Sequence, residues 1–456
     1  MTGHQSKMQA AASSLFRPGF PFRPSGFPFY YGWVVLVAST IGLVMSAPGQ
    51  TIGVSVFTEP LLKQTGLSRL QFSNAYLLGT LTSGLMLPAA GRLLDRIGVR
   101  RGVVYASLAL GATLAALSQL AGLTEIATNL GAASATAAYV ILTVGFVGLR
   151  FTGQGVLTLA CRTMLGRWFE RRRGLVSSIS APFATLSFAS SPLLLSGWVE
   201  KSGWSGAWLE MALAIGLGMT LFGWLFFRET PEESGLEIDG GRAAPQKNRA
   251  RLDPDSPNQT STPDATRREA LRSPTFWLVT LAVANHAMVG TGISLHIVDL
   301  GAAAGLSEAQ SLRVFLPVTL ISVPTGIALG LAVDRCAIRP LIQAMMVGQL
   351  LMFGLAPHLG SPPLYALCLA GWGFSGGFYG PLTVAALPNL FGRAHLGAIQ
   401  GVMMMVIVIA SALGPALLAG AQSLFGSYET GLHLLAALPC MLFVVAAFGS
   451  DPTERP

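Results

Sequence analysis

Apolar residues along this chain gather into long unbroken runs separated by short polar stretches, not on the period of an amphipathic helix or a half-buried strand. The runs Val34 to Met45, Val103 to Leu117 and Leu434 to Phe448 show no alternation. A membrane-spanning helix needs about 20 mostly apolar residues, whereas a barrel strand needs about 10 with strict alternation. Backbone groups inside hydrocarbon must bond within their own segment, so runs of this length are helices and a barrel is excluded. The pattern predicts twelve spans. They lie at 32–56, 72–94, 102–121, 136–164, 175–198 and 206–227, then at 274–298, 311–333, 339–358, 362–386, 396–421 and 431–449. The expected organisation is an N-terminal segment (1–30), a six-helix half (31–228), a polar linker (229–272), a second six-helix half (273–450) and a short tail (451–456).

Composition supports the membrane reading. Of 456 residues, 52% are AVILMFWYC and only 11% are DEKR, against roughly 25% charged in a soluble domain. That is too little charge to cover the surfaces of a soluble chain this long, and the same figures exclude a disordered one. Residues 1–30 hold no apolar core or small-residue cleavage site, so no signal peptide is expected. Their FRPGFPFRPSGFPF stretch reads as a flexible or interfacial lead-in.

Lysine and arginine set the orientation. With both termini cytoplasmic, the inner segments hold Arg92, Arg96, Arg100, Arg101, Arg162, Arg167, Arg171 to Arg173 and eight more from Arg228 to Arg272. Outside there are only Lys63, Arg69, Lys201 and Arg313. The net charge of +8 thus reports topology in a cell (plasma or inner) membrane, and no soluble basic face suggests a nucleic-acid partner. The cysteines Cys161, Cys336, Cys368 and Cys440 are too far apart in sequence for a metal site. No cofactor is expected.

An internal repeat sharpens the picture. Gly91-Arg-Leu-Leu-Asp95-Arg96-Ile-Gly98-Val-Arg100-Arg101 follows span 2, and Gly330-Leu-Ala-Val-Asp334-Arg335-Cys-Ala-Ile-Arg339 follows span 8. Arg167-Trp-Phe-Glu-Arg-Arg-Arg-Gly174 after span 4 is matched by Phe391-Gly-Arg393-Ala-His395-Leu-Gly397 after span 10. Parallel six-helix repeats point to a transporter whose site lies between the halves near the bilayer midplane. Gly91 to Arg101 resembles the cytoplasmic loop signature of the major facilitator superfamily, G-x-x-x-D-R-x-G-x-R-R, and meets each of its fixed positions. GRWFERRRGL (166–175) and LRSPTFW (271–277) are similar to the oxalate/formate antiporter and monocarboxylate porter branch. The resemblance implies an all-α membrane protein of twelve helices in two pseudo-repeats, performing alternating-access transport and expected to function as a monomer.

Asp95 stands at the inner end of span 2, where a carboxylate can pair with a guanidinium and accept N–H groups from a neighbouring helix start. Gly91 and Gly98 permit close approach and a tight turn. A latch built from Gly91, Asp95, Arg96, Gly98 and Arg101, with Asp334 and Arg335 in the second copy, would exist only while the inner ends touch. Arg100 and Arg101 also read as a solvated basic loop.

Few polar groups lie within the spans. Arg150 is central in span 4, with Gln154 and Thr158 following at i+4 and i+8. An arginine at the bilayer centre costs at least about 3 kcal/mol and must face a cavity or a partner. Arg150-Phe-Thr-Gly-Gln-Gly155 also resembles the superfamily's helix 4 motif, with one extra residue in the spacing. The resemblance implies a role for Arg150 in substrate binding or proton coupling; the alternative is an arginine pinned by helix C-terminal carbonyls. In span 7, Asn285 and His296 share a stripe and His286 points about 100° away. These histidines are candidates to carry a proton or are simply satisfied polar groups. Trp372 and Tyr379 in span 10, and Gln50 beside Pro48 in span 1, complete the candidates for a substrate path or ordinary packing.

The positions where oxalate/formate-type carriers place basic residues correspond here to Gly326 and Met403. A single central arginine matches a monoanion better than a dicarboxylate. The leading expectation is a secondary carrier for a small organic anion, a monocarboxylate, moved with H+ or by exchange. The alternatives are a carrier or efflux pump for neutral or lipophilic compounds, and a membrane sensor that does not transport. No nucleotide loop or nucleophile–base pair suggests an enzyme.

Overall fold

The computed structural model describes residues 15–240, 264–307, 310–311, 313–333 and 336–448, and it is an all-α bundle. The spanning helices are α1 (Gly32–Met45, resumed at Thr51–Ser55), α2 (Arg69–Ile97), α3 (Val99–Ser118) and α4 (Ser134–Trp168). The run Arg173–Phe226 is two helices joined by a turn at Gly203 (φ +69°), α5 before it and α6 after it. The second half has α7 (Pro274–Leu295), α8 (Phe315–Val333), α9 (Ile338–Leu355) and α10, which begins at Pro362–Gly377 and runs in pieces to Phe391. It ends with α11 (Leu396–Phe425) and α12 (Tyr428–Phe448). The predicted spans and these helices agree to within a few residues. α1 and α10 are interrupted because Pro48 and the glycines of 371–380 break the backbone ladder.

The helix ends follow from local sequence. Ser68 and Gln71 form a capping box that starts α2. Gly98, at φ +92°, turns α2 into α3 with no intervening loop, a conformation that disfavours any residue with a Cβ. The 229–272 connection has described portions at both ends, and each clamps a loop. Asp239 accepts from the Glu170 and Arg171 amides (3.2 and 2.7 Å), and Asp264 accepts from those of Arg393 and Ala394 (2.7 and 3.0 Å). The two loops so held, 4–5 and 10–11, are the repeat partners seen in the sequence.

Of the two expectations for the FRPGFPFRPSGFPF stretch, flexible or interfacial, the described residues 15–31 do not match the first: they pack on the end of the bundle. Phe20 packs edge-on against Trp224 (5.7 Å), and Phe22 lies beside Tyr31 and Phe226. Arg100, read from sequence as a solvated loop charge, is 1% exposed. Its guanidinium donates to the Arg17 carbonyl (3.2 Å), the Phe20 carbonyl (2.9 Å) and, through Nε, the Trp224 carbonyl (3.0 Å). The alternating prolines and aromatics leave carbonyls free of helix bonds, and a buried guanidinium satisfies several of them at once. Arg100→Ala would orphan these acceptors, and charged hydrogen bonds are worth roughly 1.5–3 kcal/mol each. We expect a drop of several degrees in the melting temperature and early proteolytic cleavage within 15–31, both measurable on the purified protein. Unchanged protease resistance would contradict this account.

Candidate transport site and gate

The central residues of the first half surround the break in α1. A π-helical stretch, Arg150–Leu157, interrupts α4 there. Its wider turn shifts the register, so the i+4 and i+8 face drawn from Arg150 through Gln154 to Thr158 is not kept. Thr158 instead donates to Ser46 Oγ (3.3 Å), to which Gln50 Nε2 also donates (3.1 Å). Arg150 is 2% exposed. Its Nη1 donates to the Gly49 carbonyl (3.1 Å) and to Thr51 Oγ1 (3.3 Å), and its guanidinium sits 5.3 Å from the centre of the Tyr76 ring. Arg150 Nε and Gln154 Oε1 are buried without a protein partner. Arg150 therefore ties α4 to the carbonyl end of a broken helix.

In the second half the candidates disperse. Asn285 Nδ2 donates to Gln349 of α9 (2.7 Å), inside its own half. His296 is the C-cap of α7 and faces the Pro415 carbonyl (3.2 Å), Tyr428 (3.3 Å) and Asp299 (3.7 Å) at the end of the bundle away from the 229–272 connection. Asn285 and His296 thus join no common site, because 11 residues of helix, about 16 Å by helical rise, separate them and different neighbours meet each. His286 points at α10, with Nδ1 3.2 Å from Ser375 Oγ and its ring 6.3 Å from that of Tyr379. Trp372 is 7% exposed and packs against Phe315 (5.9 Å). Trp372 and Tyr379 both look toward α7, Tyr379 beside His286 and Trp372 beside Gly290 one turn further along.

The halves meet at the end of the bundle that carries the basic loops. Asp95 Oδ1 accepts from Arg167 Nη2 (2.8 Å) and the Gly397 amide (3.0 Å), and Oδ2 accepts from the Ala398 amide (2.7 Å). A carboxylate of one half thus caps α11 of the other, where the helix N-terminus favours negative charge. Gly91 lies so close to Gly397 that a Cβ there would collide with its carbonyl. Arg167 also lies 3.8 Å from Glu229, which accepts from the Val99 and Arg100 amides (2.6 and 3.0 Å) at the start of α3. Burial pushes the Glu229 carboxyl up, while those amides and Arg167 pull it back. Arg393 spans the same seam, donating to the Arg167 carbonyl (2.8 Å) and to Glu232 (3.0 Å). Arg96 is exposed and Arg101 stands over the Phe16 ring (5.2 Å), so the guanidinium that pairs with Asp95 comes from Arg167. Asp334 and Arg335, the second copy, lie outside the described residues.

Residues 25–415 match the sequence profile of the Major Facilitator Superfamily. The chain belongs to that superfamily. No curated protein sequence matches it. Among solved structures, the chain is similar to the human organic anion transporter MFSD10 (TETRAN), with TM-score 0.64 and 15% identity over 91% of this chain and 99% of that one. It is also similar to the E. coli fucose:proton symporter FucP, with TM-score 0.58 and 13% identity over 93% and 100%. A third likeness is to a bacterial homologue of the iron transporter ferroportin in an outward-facing state, with TM-score 0.62 and 16% identity over 91% and 98%. At these identities the likeness establishes the shared fold, a multi-pass membrane bundle. The oxalate/formate and monocarboxylate branch is not singled out by these relatives.

Within this superfamily member, two functional candidates escaped sequence reasoning. Arg167 was one of a crowd of loop arginines; only its position on the last turn of α4 facing Asp95 separates it from Arg171 and Arg172, which are exposed. Arg162 was likewise counted with the inner loops. The structure carries α4 on to Trp168, which draws Arg162 more than a turn inside the helix.

Proposed function

We propose that this superfamily member is a secondary carrier that moves a small organic anion, a monocarboxylate, by alternating access, either with a proton or by exchange. It works as a monomer in the cell membrane, with both termini and the basic loops on the cytoplasmic side. Supporting this is one feature above all: between its two ends the described bundle holds the guanidiniums of Arg150 and Arg162 and no carboxylate within salt-bridge distance of either. Positive charge in a low-dielectric interior calls for an anion. The side-chain hydrogen bonds joining the halves cluster at the basic end, which fits a state closed to the cytoplasm and approached from outside.

Proteoliposome uptake of radiolabelled L-lactate, pyruvate, acetate, formate and benzoate tests the reading. We expect saturable uptake of at least one of them, accelerated by an inward proton gradient or by unlabelled substrate inside. Uptake confined to neutral sugars or amphiphiles would replace the anion reading with the neutral-compound carrier, and no transport of any class would favour the sensor.

A further inference from the structure

Arg162 lies 12 residues beyond Arg150 on α4, about 18 Å nearer the basic end by helical rise. It is partly buried, and its surroundings differ from those of Arg150. Its Nη1 donates to the Met404 sulfur (3.4 Å), and its guanidinium stands 5.4 Å from the centre of the Tyr379 ring. A thioether is a weak acceptor and a ring face carries no counter-charge. None of the ion pairs among the described residues involves it. Around it is a crevice too tight, in this closed arrangement, to admit a water molecule, lined by Leu159, Arg162, Thr383, Gln400, Met403 and Met404, so a ligand would enter only as the halves part. Gln400 is already engaged, accepting from Thr163 Oγ1 (2.8 Å) and donating to the Thr383 carbonyl (3.4 Å). The guanidinium is therefore the unspent strong donor of the cleft.

We infer that Arg162 is the residue that holds the substrate carboxylate, with Tyr379 and the two methionines receiving the remainder of the molecule. The inference rests on the anion-carrier reading above and assigns that carrier's site to a residue that sequence reading counts only with the inner basic charge. A fork of N–H donors fits a carboxylate bidentately, and displacing the thioether costs little. The cleft lining offers no second cation, so a dicarboxylate would bring a charge with no partner. Arg162 belongs to one half, whereas Tyr379, Gln400, Met403 and Met404 belong to the other. An anion bound here touches both halves just above the Asp95 gate, so its binding free energy differs between the closed and open arrangements, as coupled transport demands.

The test is thermal unfolding of the purified full chain with formate, acetate, L-lactate, pyruvate, benzoate and oxalate, since a ligand of the native state raises the melting temperature. At least one monocarboxylate should stabilise the wild type saturably, and oxalate should do so less. Arg162→Gln should raise the half-saturating concentration roughly 10- to 100-fold, the loss expected for a charged hydrogen-bond pair. Arg162→Lys should fall between. Met404→Glu supplies the guanidinium with an internal carboxylate, so it should abolish the shift although Arg162 is present; it decides the matter if Arg162→Gln does not fold. A wild-type midpoint in Arg162→Gln or Met404→Glu, or oxalate binding as well as the monocarboxylates, overturns the site and leaves the carrier reading standing. A wild type stabilised by none of these compounds overturns both.

Discussion

Asp95→Asn is expected to open the cytoplasmic gate and slow transport without weakening the substrate's grip. Asparagine keeps the shape but loses the charge, and one of its two side-chain polar atoms becomes a donor facing an amide that is also a donor. The contact to Arg167 (2.8 Å) weakens, and one of the caps on Gly397 or Ala398 is lost. The Asp95 side chain is only 11% exposed, so water replaces these bonds poorly in the closed state. Charged hydrogen bonds are worth roughly 1.5–3 kcal/mol each, which shifts a two-state population by about 10- to 100-fold per bond. A single cysteine at Ala398, buried at the seam, should label from the cytoplasmic face at least about tenfold faster in Asp95→Asn. Turnover should fall in similar proportion, since a carrier that rests open to one side must climb back on each cycle. Arg167→Gln should reproduce both effects, because it removes the same pair from the other side. Collapse of substrate affinity with unchanged labelling would place Asp95 in the binding site instead.

Much of this fold is readable from the order of residues, because the membrane leaves the backbone few choices. Unbroken apolar runs must be helices, and Lys and Arg crowd one set of ends. Asp95 was legible too: a lone acid among arginines, repeated at Asp334, stands out against a positive loop. The identity of its partner was not. Arg92, Arg96, Arg100 and Arg101 are all nearer in sequence, and only the packing of α4 against α2 brings up Arg167. Arg100 shows the same limit from the other direction. Nothing in a basic loop says that a guanidinium will be buried under residues 15–22 and spent on their carbonyls.

The candidate site was harder to read for a geometric reason. Faces drawn at 100° per residue assume one regular helix. The π-helical stretch at Arg150–Leu157 rotates everything after it, as does the one at Leu382–Ala386 in the matching helix of the other half. Asn285, His296 and Trp372 precede or lie outside these stretches; they end up on separate partners because different neighbours reach each of them, α9 at Asn285, Pro415 and Tyr428 at His296, and Phe315 at Trp372. Arg162, beyond the π stretch, turns into the cleft. The predicted span 136–164 already contains it, and its charge alone caused it to be counted with the inner loops.

Under the proposed reading Arg150 and Arg162 divide the work that a single central arginine was expected to do, and their variants should fail differently. Arg150 donates to the Gly49 carbonyl and Thr51 at the break in α1, beneath the Tyr76 ring. We regard it as a positioning residue that lets the two pieces of α1 move with α4 as one body. Arg150→Gln leaves a buried carbonyl short of its donor, so uptake should fall roughly 10- to 100-fold from the loss of a charged hydrogen bond. Arg150→Lys, which keeps the charge but not the fork, should recover part of that rate. The carboxylate concentration that half-saturates thermal stabilisation should change by no more than about threefold in either variant, because that residual is what loosened packing, worth under 1 kcal/mol at the site, would produce. The contrast lies in the split: turnover lost at Arg150, affinity lost at Arg162. If Arg150→Gln instead weakened carboxylate binding as much as Arg162→Gln, the anion would sit in the polar cluster of Ser46, Gln50 and Thr51, and the cleft below would be its exit. If both variants kept wild-type uptake, neither guanidinium would face the substrate and the cargo would be uncharged.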